Sequence, residues 1–145
     1  MIAALEGIKL KGNPESSSHA NNLIPALLSS AFLVSLHVAE HMQAATLPLS
    51  RKGQGMNVVM SAAISDIEVV QQTIRNDRTS ADEAFSKTFS KVTELASKLN
   101  MEITNKWIGT RQQHRGNIPE ETPEEYFRKL MFIPFIDFTL AQPDQ

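Results

Sequence analysis

An all-α fold is what these 145 residues predict. Three observations predict it. Apolar residues recur at helical spacing along most of the chain, capping signatures stand where several of those stripes begin, and nothing reads as consecutive alternating strands. The expected architecture is about four to five antiparallel helices, with an irregular loop ahead of a proline-kinked C-terminal helix, as an incomplete part of a larger domain. Composition agrees with a packed protein: 41% of residues are apolar, too many for a disordered chain. A net charge of −2 argues neither for nor against nucleic acid, and the absence of cysteine excludes disulfides and thiolate metal sites.

Each element can be justified in order. Residues 1–22 read as a partial helix ended by Gly12, Asn13 and Pro14, then a polar linker or helix start in Ser16 to Asn22, where serines are candidate caps. Residues 23–142 are the helical region and 143–145 a tail. Leu23 to Ala39 is apolar over 17 residues, too short and too interrupted by Pro25, serines and His37 for a spanning helix, so a helix buried on most sides is expected, with no membrane partner. It should run to about Ala45, with Thr46 to Gly55 as a loop marked by proline and glycines. Met60, Ala63, Ile64, Ile67, Val70 and Ile74 predict the next helix. Ser80 and Glu83 form a capping box for another, striped by Phe85, Phe89, Val92, Leu95, Ala96 and Leu99. A short connection between two helices of similar length predicts an antiparallel hairpin. Ile103 to Ile108 has the composition of a short strand without a visible partner. Last, Thr122 as cap, Pro123 at the first helical position and Glu125 three beyond the cap begin a helix, which Pro134 should kink or split.

Two stretches carry candidate chemistry. HVAEH, His37 to His41, has the H-x-x-E-H order of inverted zinc peptidases. His37 and His41 would share a helical face, Glu40 would serve as general base, and Glu120, Glu121 or Glu124 would have to supply a third ligand. The pattern fixes only three positions and sits in the most apolar helix. We read it as coincidence, with Val34, Val38 and Met42 forming the apolar face, and expect neither metal nor cofactor. The second stretch is TRQQHRGN, Thr110 to Asn117, which has no acid between Lys106 and Glu120. Arg111 and Arg115 are suited to clamp carboxylates or phosphates, either pinning a loop or touching DNA.

The combination RQQHRGN … TPEEYFRKLMFIPFID resembles the hAT superfamily of DNA transposases and their domesticated zinc-finger MYM-type and THAP-type relatives. The matching block is Arg111, Gln112, His114, Arg115 and Asn117. The matching helix holds Tyr126, Phe127, Phe132, Ile133, Pro134, Ile136 and Asp137. The likeness extends upstream over most of residues 20–142, chiefly as helix periodicity. Asn105-Lys106-Trp107 departs from the proline and arginine usual before the block, and Arg51 to Gly55 has glycine where an apolar residue is usual. The resemblance implies the helical insertion of an RNase H-like transposase, whose catalysis needs three carboxylates holding two metal ions. None of the three matches a residue here; Asp66, Asp77 and Asp82 sit on or between amphipathic helices. It implies a non-enzymatic structural or interaction module in the nucleus; without the resemblance, a cytoplasmic location is the expectation. Its partners would be the remainder of a transposase-like protein or a protein covering the C-terminal helix, with DNA contact through Lys106, Arg111, His114 and Arg115 as the alternative.

Overall fold

The computed structural model describes residues 2–54, 60–104 and 122–141, and of Ser61 only the backbone. Every regular element among them is helical: α1 (Ile2–Lys11), α2 (Pro14–Leu27), α3 (Ser30–Gly53), α4 (Met60–Thr79), α5 (Ala81–Lys98), α6 (Pro123–Phe127), a π-helical turn (Arg128–Phe132) and α7 (Ile133–Leu140). The all-α expectation holds. Met101 to Thr104 forms no strand, and the rest of the strand candidate lies outside the described residues.

The N-terminal helices follow from local chemistry. Gly12 closes α1 with its N–H on the Ile8 carbonyl at 2.7 Å, and a Cβ there would stand 2.5 Å from that same oxygen. Of the two readings of Ser16 to Asn22, polar linker or helix start, the structure shows helix. Pro14 takes the first position of α2, and Asn13 rather than a serine caps it, its Oδ1 accepting from the Ser16 N–H at 2.8 Å. Pro25 cannot donate to the turn before it, and α2 ends at Leu27. Ser29 caps α3, which leaves at 70° to α2. The apolar run is thus divided between two helices, and only one face of it is covered: Leu33, Val34 and Val38 are buried while Leu23, Phe32 and Leu36 are exposed. No single described helix is long and apolar enough to cross a membrane, although α2 and α3 together pass by length and composition.

α3 does not stop at Ala45. It continues through Pro48 to Gly53, so the expected loop is helical as far as Gly53, and Gly55 lies outside the described residues. Proline removes one backbone donor, but the Thr46 hydroxyl donates to the Met42 and Gln43 carbonyls just upstream, and the segment gains α4 as a neighbour. The pairing is antiparallel. Lys52 meets Asp66 at 2.7 Å and, eleven residues back on α3 and eleven on along α4, His41 meets Asp77 at 2.8 Å. Eleven residues are about three helical turns, so both contacts fall on the same pair of faces.

The expected α4–α5 hairpin does not form. Only Ser80 separates the helices, and instead of folding back, α5 continues along α3. Lys91 reaches Glu40, and the Thr104 N–H reaches the Ser30 hydroxyl beyond the end of α5. The capping box fails for the same reason. Ser80 is held with φ −109° and ψ 43°, and its hydroxyl donates to the Asn76 carbonyl of α4 rather than accepting from α5. At its other end α5 closes with Asn100 at φ 52°, its N–H on Ser97 and the Met101 N–H on Ala96, a left-handed cap that satisfies the last carbonyls.

The C-terminal rod begins as the sequence indicates. Thr122 Oγ1 accepts from the Glu125 N–H and Pro123 takes the first turn. Pro134 widens the helix rather than splitting it. A proline ring collides with the carbonyl four residues back and offers no N–H to it. The chain responds with the π turn, in which the Ile133 N–H bonds the Arg128 carbonyl five residues earlier. α6, this turn and α7 run on as one rod. It crosses the α4–α5 junction, Arg128 pairing with Asp82 at 2.6 Å and Asp137 with Arg78 at 2.6 Å.

The core lies where α3, the α4–α5 junction and this rod meet. Phe85, Phe132, Ile136, Val34 and Val92 are fully enclosed there, with Phe89, Ala96 and Phe127 beside them. Phe132 stands 5.2 Å from the Phe85 ring and 5.8 Å from the His41 ring. Phe132→Ala is expected to cost about 3–5 kcal/mol, as cavity-forming aromatic truncations do, whereas Phe138→Ala on the open face should stay under about 1 kcal/mol. Urea melts of both variants check the contrast.

One surface pair gives a pH expectation. Glu94 lies one turn before Lys98 on α5 at 2.7 Å, and the hydrogen bond from that ammonium holds its carboxyl below the ordinary glutamate value. A depressed folded-state value favours the fold above the unfolded-state pKa, and that contribution fades as pH falls through the folded one. NMR titration should show the Glu94 midpoint returning upward in Lys98→Ala.

Candidate functional site

The zinc-like pattern is dispersed by its own helix. His37 Nδ1 donates to the Leu33 carbonyl one turn back at 2.9 Å. His41 Nε2 donates to Asp77 Oδ2 at 2.8 Å, and its ring lies against Phe132. Glu40 accepts from Lys91 at 3.3 Å. The pattern's side chains therefore serve α3 itself, α4 and α5 in turn. Zinc needs several lone pairs converging on one point. Among the described residues no group of three or more His, Asp or Glu converges in that way. Glu124 sits in the first turn of α6; Glu120 and Glu121 lie outside the described residues. Val34, Val38 and Met42, the face proposed to explain this helix, are buried.

The basic block falls differently. Arg111, Gln112, His114, Arg115 and Asn117, and Lys106 with them, lie outside the described residues. The motif helix that follows is described in full. Phe127 is buried, and Tyr126 is half-buried with its ring 5.2 Å from the Phe127 ring. Pro134 shapes the π turn, and Asp137 takes a two-point grip on Arg78, 2.6 Å to Nε and 3.3 Å to Nη2. This bond also raises the Arg78 pKa above its ordinary value. Arg128 was not singled out in the sequence, yet it ties the rod to Asp82 at the start of α5. Its position one turn before Phe132 and its long planar head were the available signals.

What the rod leaves open is a groove over α3. Ser35, Val38 and Ala39 form its floor, and Met131, Pro134, Phe135 and Phe138 form the opposite wall around about 460 Å³. Phe138 is 66% exposed, a large apolar ring left in water. The lining is mostly carbon, and across it the Ser35 hydroxyl stands 3.7 Å from the Met131 sulfur. The groove's mostly apolar walls suit contact with an apolar side chain.

Comparison with known protein families, curated proteins and solved structures finds no match for this chain.

Titration with zinc followed by dialysis and metal analysis should leave less than stoichiometric metal on the protein, and His37→Ala should not change the amount. In a double-mutant cycle, His41→Ala and Asp77→Ala should couple by about 0.5–1.5 kcal/mol, since they share one part-buried hydrogen bond.

Proposed function

We propose that this chain is a catalytically incomplete piece of a transposase-derived protein of the hAT kind, working as a helical interaction module whose partner seats on the groove between α3 and the C-terminal rod. The observation that carries the reading is the division of labour along the motif helix. Phe127, Phe132 and Ile136 face inward and Asp137 grips Arg78, so these positions of the YF…FIP-I-D pattern maintain the fold. Phe135 and Phe138 on the same rod are 42% and 66% exposed and line the groove. Exposed aromatics beside a preformed apolar groove are a common anchor for a partner.

The resemblance supplies the partner's chemistry. An insertion of this kind interrupts the RNase H-like domain of its transposase, and that core is the occupant the reading names.

Binding of the purified chain to an immobilised RNase H-like core from an hAT-type transposase tests the reading. The wild-type chain should bind, and Phe135→Ser with Phe138→Ser should weaken binding at least about tenfold, or about 1.4 kcal/mol, while leaving the helical circular dichroism unchanged. Equal binding by the two proteins, or none by either, would contradict it.

A further inference from the structure

The C-terminal rod carries one residue more than an unbroken α-helix would place in the same span. In the π turn the Ile133 N–H bonds the Arg128 carbonyl, one residue further back than an α-helix reaches. From Phe132 onward, each residue therefore takes the place that its predecessor would hold in an unbroken helix. Pro134 makes the wider turn available but does not by itself require it. Pro48 lies inside α3, and that helix stays α-helical around it.

The same sequence read one residue out of step is also apolar where it must be. Phe132 and Ile136 are now fully enclosed. In an unbroken helix Met131 and Phe135 would stand in their places. A methionine and a phenylalanine would replace a phenylalanine and an isoleucine, a nearly volume-conserving exchange of the kind that cores tolerate best. Met131 already packs against the core's edge, and Phe135 would bury a ring that now stands partly in water. Two losses oppose the exchange. Thr139 would replace Leu140 at the core's edge, and Ile136 would face Arg78 in place of Asp137. The Arg78 and Asp137 side chains are about half exposed, and such an ion pair contributes little. It decides the outcome where two packings are nearly balanced.

We propose that α7 is a two-register switch, with the π register described above and an unbroken α register rotated by about 100°, and that the Arg78–Asp137 bond is the latch that selects the first. α6 stays in place through the change, because the Thr122 cap and the Arg128–Asp82 pair stand at or before the first residue of the turn. The groove over α3 changes its wall. Met131, Pro134, Phe135 and Phe138 give way to Leu130, Ile133, Pro134 and Asp137, so a carboxylate replaces the open Phe138 ring. An apolar side chain seated against Phe138 holds the rod in the π register, and a cationic one favours the other. The two registers themselves do not depend on what the groove takes.

Met131 reports the register, since it is half-buried at the groove in one and enclosed beside Phe85 in the other. The probe is hydrogen peroxide, and the readout is the rate at which Met131 becomes the sulfoxide, followed by peptide mass spectrometry. Arg78→Leu removes the latch and offers Ile136 an apolar neighbour. Pro134→Ala keeps the latch and removes the ring that hinders an unbroken helix. Met131 oxidation should slow at least about fivefold in Arg78→Leu and should also slow in Pro134→Ala, with helical circular dichroism retained. Loss of the fold would speed oxidation instead, so a variant that merely unfolds is told apart from one that switches. In both variants the Met131 methyl proton resonance should move upfield as it enters the ring-lined core. An unchanged or faster rate in both variants would overturn the proposal. So would an equal slowing in Lys98→Leu, which breaks an exposed ion pair far along α5 from the latch.

Discussion

A phenyl ring must stay dry, and the geometry of this protein follows from how that is arranged. Phe132 projects from the C-terminal rod into the angle between α3 and the α4–α5 junction, where Phe85 and His41 close around it. Burying such a side chain is worth about 1.5–3 kcal/mol in transfer free energy, more than a surface ion pair supplies. Pro134 is part of the same device. By denying the helix an N–H and crowding the preceding turn, it produces a π turn directly at Phe132 and resets the phase of α7, so that Ile136 also points inward and Asp137 meets Arg78. The ion pairs at the crossing fix its angle; the aromatic cluster supplies its stability.

This arrangement determines what remains outside. A rod that crosses a junction, rather than lying along a helix for its whole length, covers the middle of the bundle and leaves apolar surface on both sides. One is the groove beneath Phe138 over α3, and the other is the aliphatic stripe of α4 past Leu140. The mostly apolar walls of the groove suit contact with an apolar side chain, which fits the reading of this chain as a module in a larger assembly. The histidines that looked like metal ligands belong to the supporting framework, one closing a turn of α3 and one tying α3 to α4.

Periodicity made the helices legible, and it failed where context overrode local signals. The stripes of α4 and α5, the inward face of α3 and the Thr122-Pro123-Glu125 start could all be read from residue type and spacing. Pro48 and Gly53 advertised a loop, but the helix persists because α4 offers it a partner along its length. Ser80 and Glu83 spelled a capping box, yet the single-residue junction turned the serine hydroxyl toward Asn76. The α4–α5 hairpin was the natural choice for two similar helices, and nothing local showed that α3 was long enough to accept both in sequence. Pro134 announced a disturbance but not its form, since a kink, a break and a π turn begin from the same missing N–H. Of the candidate site, the motif helix was visible as a pattern, while the split into buried and open aromatics required knowing which face met α3.

Native-state hydrogen exchange tests the central claim most directly, because it reads cooperativity residue by residue. If the aromatic crossing holds the bundle together, amides of the π turn, of α5 around Phe85 and of α3 around Val38 should exchange only through one shared opening, with equal dependence on denaturant. Amides of α3 beyond Thr46 and of α4 before Val70 should open earlier. A C-terminal rod that exchanges by itself, well before α3 and α5, would show that the bundle stands without it and would contradict the account.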